Sequence, residues 1–146
     1  ALVAPSTLAS PRRNVVGWDS SRLAMLTAVL EARCGVPLSG RDIFLNVAGG
    51  LKISETAADL AVAAALISSV SGRPAPPRSV FFGEVALSAE LRQVAQADAR
   101  LKEASKLGFD MAVMPRPRKK LAAPSGLSLA QPSTLAELIE ILGGVT

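Results

Sequence analysis

The chain has 146 residues, 49% hydrophobic and 19% charged; 16 Lys and Arg against 12 Asp and Glu leave a net charge of +4, and histidine is absent. That length and apolar content describe one folded domain with a real core, and no apolar run reaches the ~20 residues of a membrane-spanning helix. Without histidine, and with Cys34 as its one cysteine, the sequence excludes histidine-type metal sites, His-dependent catalytic triads, histidine pH switches and zinc cages.

Residues 1–4 are apolar and the chain opens without methionine, which reads as a fragment entered in mid-strand. Residues 5–11 form a Pro- and Ser-containing connection, and residues 12–16 a short second strand. Asp19 or Ser20 then caps a helix in which Leu23, Leu26, Val29 and Leu30 recur at helical spacing, ending before Gly35 and Pro37. Trp18, just ahead of the cap, reads as a core residue, and Cys34 as a small buried hydrophobe. Residues 43–47 form a central strand, and Gly49 and Gly50 supply the positive φ values of a sharp reversal. In the alanine-rich helix predicted over residues 57–70 the one charge is Asp59, so the helix has no clean polar face and is expected to be buried on most sides. Glu55 and Asp59 stand in or before its first turn, where the helix dipole favours negative charge.

Residues 71–79, SGRPAPPRS, make a proline-rich surface connection. Residues 80–87 and 91–95 read as two strands joined as a hairpin across Ser88, Ala89 and Glu90. A third helix over residues 96–107 turns Ala97, Leu101 and Ala104 inward and stops at Gly108, followed by a strand at 111–114. Residues 115–133 are loop-like with one further strand at 127–130. Thr134 and Glu137 have capping-box spacing, and Leu135, Leu138, Ile139 and Leu142 form the apolar stripe of a last helix. Strands and helices in irregular alternation around a hairpin predict an α/β or α+β two-layer sandwich.

The stretch NVAGGLKISETAADLAVAAALISSVSGRP and the later VFFGEVALSAELRQVAQADARLKEASKLGF resemble the C-terminal Lon-protease-like domain of the bacterial RadA (Sms) family of DNA repair proteins; the opening ALVAPSTLASPRRNVVGWDSSRLAMLTAVLEARCG resembles the entry into that domain. The similarity covers nearly the whole chain and is weakest after about residue 115. It implies a single Lon-protease-like domain over residues 1–146 with the ribosomal protein S5 domain 2-like fold, a mixed sheet covered by helices. It also implies that this is the C-terminal fragment of a longer protein whose zinc finger and RecA-like ATPase core lie outside it, so that ATP, Mg and Zn are expected there and no cofactor here. The implied parent is a hexameric, ATP-driven branch-migration motor working with the recombinase RecA, cytoplasmic and nucleoid-associated, with no membrane partner.

Lon peptidases use a serine nucleophile at the head of the helix matching residues 57–70, and a lysine base. Laid on this sequence through ALISSVSGRP and FFGEVALSAELRQV, the motif puts Ala57 in place of the serine and Asp98 in place of the lysine. A methyl group cannot attack a carbonyl and a carboxylate lacks the role of the amine, so the resemblance implies a domain without catalysis. Ser54, Thr56 and Lys52 keep a serine peptidase with a rearranged site as an alternative, although hydroxyls just ahead of a helix ordinarily cap its free amides. Glu84 and Glu90 read as a strand-end carboxylate and a turn residue. Neither G-x-x-x-x-G-K-[ST] nor G-x-G-x-x-G occurs, so these residues are not expected to bind ATP.

A pI near 9.8 tilts the surface towards anions. Arg12, Arg13, Lys52, Arg92 and Arg100 lie in or beside the family-like motifs, while Arg116, Arg118, Lys119 and Lys120 form the densest cluster, inside a stretch without acids over residues 111–136. Clustered Arg and Lys neutralise phosphates, so these nine are candidate contacts to single-stranded or branched DNA. No basic recognition helix is present, and binding without sequence preference is expected. Self-association into a ring, hexameric in the implied parent, is the second expected role, and a pure protein-interaction module the third reading.

Overall fold

In the computed structural model, which describes residues 1–145, β1 (Leu2–Pro5), β2 (Arg13–Val16) and β3 (Arg41–Asn46) form a mixed sheet of order β1-β3-β2. β1 runs antiparallel to β3 with Val3 opposite Ile43, and β2 parallel with Val15 opposite Leu45. Strand alternation turns Val3, Ile43 and Leu45 into the core. Between β2 and β3, α1 (Ser20–Cys34) starts on Asp19, whose side chain accepts from Ser21 N–H at 2.7 Å, and ends on left-handed Gly35. Its Leu23, Leu26, Val29 and Leu30 are buried, as is Trp18. Cys34 departs from expectation: in the last turn it is only partly buried, and that burial pushes its thiol pKa up.

After β3 a 3₁₀ turn, Ala48–Gly50, carries the reversal, with φ of 80° at Gly49 and 70° at Gly50. The helix expected to begin at residue 57 instead opens as a second 3₁₀ turn, Thr56–Ala58, and becomes α2 only over Asp59–Ser71. The cause lies across the fold: Gly83 N–H donates to Ala57 C=O at 2.9 Å, and Leu60 N–H donates to Gly83 C=O at 3.1 Å. Backbone groups at this helix start are therefore satisfied by a strand connection rather than by an earlier turn. Leu60, Val62, Ala63, Ala64, Leu66 and Ile67 are buried, matching the expectation of a helix enclosed on most sides.

β4 (Ser79–Phe81) leads into the short strands β5 (Glu84–Val85) and β6 (Leu91–Arg92), then α3 (Ala97–Lys106), β7 (Met111–Val113), β8 (Ser128–Ala130) and α4 (Leu135–Ile141). β4, β7 and β8 form a parallel sheet of order β4-β7-β8, and β5 and β6 a separate antiparallel hairpin. One expectation is corrected here. The single strand predicted over residues 80–87 breaks at Gly83, which bonds to Ala57 and Leu60, so its two halves join different partners. The strands fall into three small sheets, of which β1-β3-β2 is mixed. α2 binds them together, packing on β1, β4 and β5 and against α1 and α4, while Leu101 and Ala104 of α3 cover a smaller core with Phe82, Ala112, Met114 and Leu127.

Gly17 is where sequence and packing meet most tightly. It has φ +85°, an added Cβ would lie 2.5 Å from the Leu51 carbonyl oxygen, and its own carbonyl accepts from Ile53 N–H at 2.8 Å. Gly17→Ala is expected to lower stability by about 2 kcal/mol or more, from left-handed strain plus the clash. The check is urea unfolding: a lower midpoint at unchanged slope.

Candidate nucleic-acid interface

The two positions that the resemblance assigns to the peptidase nucleophile and base, Ala57 and Asp98, have different surroundings. Ala57 is buried in the 3₁₀ turn and lines an apolar cleft of about 350 Å³ between α2, β4 and α3. Asp98, in the first turn of α3, is exposed and pairs with Lys102 at 2.9 Å, an i,i+4 surface pair of small stabilising effect. The alternatives do not assemble. Thr56 Oγ1 donates to Glu84 at 3.0 Å, while Lys52 and Ser54 line another groove, beside Trp18 and Asp19, with no hydrogen bond between them among the described residues. A serine nucleophile requires a base within hydrogen-bond reach, and that contact is missing.

Asp59, read from the sequence as a first-turn acid, has a different position and role. It is fully buried. Arg22 Nε donates to its Oδ1 at 2.5 Å, the Arg22 Nη2 donates to Oδ2, and Val85 N–H donates to the same Oδ2 at 3.0 Å. One carboxylate thus ties α1, α2 and β5 together. The hydrogen bond to Asp59 raises the Arg22 pKa above its usual value, against the opposing effect of burial. The sequence held a signal for this: a lone charge in an otherwise apolar helix needs a partner when it is buried.

Three of the nine candidate cations have side chains hydrogen-bonded within the fold. Arg12 forks onto Asp42, with Nε at 3.1 Å and Nη2 at 2.7 Å from Oδ2, donates its backbone N–H to Oδ1 at 2.7 Å, and lies 5.5 Å from the centre of the Phe44 ring. Arg13 donates to the carbonyls of Arg41 and Leu38. Arg100 holds Glu55 with two bonds, 2.8 and 3.3 Å, donates to the Ala95 carbonyl at 3.0 Å, and lies over Phe82.

The Arg12 hydrogen bonds hold the Asp42 carboxyl down from 3.8 to about 2. A carboxylate pKa depressed by folding contributes stability above its unfolded value, and that contribution is lost as pH falls through the folded one. The stability difference between the native chain and Asp42→Asn is therefore expected to shrink as pH drops from 3.8 towards 2. Urea unfolding at stepped acid pH reads it out, and a difference constant across that window contradicts it.

A second group of cations is gathered by the structure. Arg92 on β6 and Arg116 and Arg118 in the connection after β7 line one groove of about 550 Å³ with Gln93 and Ser133. All three arginines are exposed, as are Lys119 and Lys120, which follow directly in the chain. Gln93 Nε2 donates to the Arg116 carbonyl at 2.9 Å and joins the two walls. Arg92 forms a long ion pair with Glu84, at 4.0 Å. Behind Ser133, Glu137 accepts from the Ser133 N–H at 2.7 Å and Oγ at 3.0 Å; these bonds, with Arg116 nearby, lower its pKa. Lys52 belongs to the other groove, beside Trp18. Sequence spacing alone joined Arg116 to Lys120; Arg92 is brought to them by the β5–β6 hairpin.

A mixed α/β domain with this groove matches, over residues 19–118, the family model described as subunit ChlI of Mg-chelatase, and the chain belongs to that family. Its relatives carry another description. It is 54% identical over 139 residues to the DNA repair protein RadA of Brucella abortus, covering 95% of this chain and 30% of that protein. It is 47% identical over 142 residues to DNA repair protein RadA of Pseudomonas aeruginosa, 97% of this chain and 31% of that one. With the protein of the same name from Rickettsia bellii it shares 56% over 110 residues, 75% and 25% of the two chains. The resemblance seen in the NVAGG and VFFGE motifs therefore holds over most of the chain, which spans between a quarter and a third of the length of these relatives. Two descriptions attach to one type of domain, so the site has to decide between them. Among the described residues there is no cluster of three or more His, Cys, Asp or Glu able to hold a metal ion, and no helix is long and apolar enough to cross a membrane.

Proposed function

We propose that the chain is a non-catalytic domain of Lon-protease-like, ribosomal protein S5 domain 2-like fold within a RadA-type DNA repair protein, holding DNA by its phosphate backbone and helping subunits assemble into a ring. The groove of Arg92, Arg116 and Arg118, continued by Lys119 and Lys120, carries this reading. It gathers cations from two separate chain segments, and Gln93 and Ser133 add neutral hydrogen-bonding groups. Phosphate contacts position a protein on nucleic acid without reading bases, which suits a repair protein acting on single-stranded or branched DNA of any sequence. Within the whole protein, ATP hydrolysis with Mg, a Zn finger, hexamer formation, branch migration and cooperation with RecA belong to the same proposal, as does a cytoplasmic, nucleoid-associated location. Ala57 and Asp98 supply neither a hydroxyl nor an amine, which supports a scaffold over a peptidase.

The test is fluorescence anisotropy with single-stranded and forked DNA across a salt series. Contact with about four phosphates gives a slope of log affinity against log salt of about −3 to −4. No binding at low salt would remove DNA from the reading and leave a protein-interaction module.

A further inference from the structure

The apolar cleft beside Ala57 has no part in the proposed phosphate contacts, which lie in a groove lined by other residues. Its floor is made of small side chains, Ala57, Ala58 and Ala61, from the 3₁₀ turn and α2, and its walls carry Phe81 and Phe109. Leu107 at the mouth is 66% exposed, a large apolar side chain without cover, and Ala61 is exposed as well. The volume, about 350 Å³, is at the small end for ligand clefts and suits one or two inserted side chains.

A short open stretch of sheet edge, β4, lies beside the same cleft and ends where Gly83 is bonded to Ala57 and Leu60. β4 is an outer strand in the order β4-β7-β8, so one side of its backbone has no strand partner. The side follows from neighbouring hydrogen bonds: Phe82 N–H donates to Val113 on the β7 side, whereas Gly83 N–H donates to Ala57 on the opposite side. Strand alternation then directs the Phe81 N–H the same way as that of Gly83, towards the cleft. Apolar pockets along an open edge are the elements of recognition by strand addition, in which main-chain bonds give affinity and pockets for alternate side chains give selectivity.

Charge at the mouth chooses among peptides. Arg100 is held by Glu55 and the Ala95 carbonyl, while Glu103 lines the cleft, is exposed and has no ion-pair partner among the described residues. The net charge of these three groups is negative. We propose that this cleft binds an extended segment of a partner protein, alternating apolar side chains with lysine, as an added strand along β4.

The experiment probes the chain of residues 1–146 with an array of seven-residue peptides in which Val, Leu or Phe alternates with Ser, Lys or Glu, followed by anisotropy of the strongest binder. Micromolar binding is expected, with lysine-containing peptides about tenfold tighter than their glutamate counterparts. Ala61→Phe, which fills the cleft, and Leu107→Asp, at an exposed position that leaves the fold intact, should each weaken binding about tenfold or more. Glu103→Lys should reverse the charge preference, and none of the three should change DNA affinity. The proposal is overturned by an array without binders, by binding indifferent to both Ala61→Phe and Leu107→Asp, or by a lower sedimentation coefficient for Leu107→Asp, which would show a second copy of the chain occupying the cleft.

Discussion

Arg22→Met is expected to lower the free energy of unfolding by about 3–5 kcal/mol, the usual effect of removing one member of a buried ion pair. The loss is large because of what is left behind. Asp59 would stay enclosed by α1, α2 and β5 with the Val85 N–H as its remaining hydrogen-bond donor, a buried carboxylate without a counter-charge. For a domain of this size that corresponds to a melting temperature lower by roughly 10 °C. The double replacement Arg22→Met with Asp59→Leu is expected to recover much of the loss, since an apolar pair of similar volume avoids the desolvation of both ions. Urea unfolding of the two singles and the double gives the coupling energy. Additive losses, with no recovery in the double, would show that the two side chains do not act as a pair.

Charge reversal at three positions, Arg92→Glu, Arg116→Glu and Arg118→Glu together, is expected to abolish DNA binding at physiological salt. Three favourable phosphate contacts become repulsive within one groove, and a non-specific complex has little else to hold it. The milder triple alanine variant should keep weak binding with a salt slope reduced by about one per arginine. Arg12→Ala and Arg100→Ala provide the contrast. Their guanidinium groups are bonded to Asp42 and Glu55, so stability should fall while DNA affinity changes by less than about twofold. The opposite pattern, with affinity carried by Arg12 and Arg100 and indifferent to the triple variant, would move the interface to another face.

Much of the local structure was legible in the sequence because its causes are local. Asp19 caps α1 and Gly35 ends it in the left-handed region, Gly49 and Gly50 turn the chain, and Thr134 accepts from Glu137 N–H at the start of α4. Even there the reciprocal half of the capping box is displaced: the Glu137 carboxylate accepts from Ser133 rather than from Thr134. The scarcity of charge in residues 57–70 correctly foretold a buried helix. The break at Gly83 was not legible, because an apolar run over 80–87 looks like one strand until Ala57 and Leu60 bond to its middle. The partial exposure of Cys34 was hidden for a similar reason, since its cover depends on what stands beside the last turn of α1.

By itself the sequence determined the caps, the turns, the apolar stripes, the family, and the absence of a phosphate loop and of histidine chemistry, all of which depend on residue type at short spacing. Tertiary structure alone decided which charges are tightly paired. The partners of Arg12, Arg22 and Arg100 lie 30, 37 and 45 residues away along the chain, and no spacing rule reaches that far. Whether an arginine is fastened within the fold depends on which acceptors folding brings to it. For Arg92, Arg116 and Arg118 folding brought the three cations into one groove, with Glu84 at 4.0 Å from Arg92 as the one ion-pair partner among them.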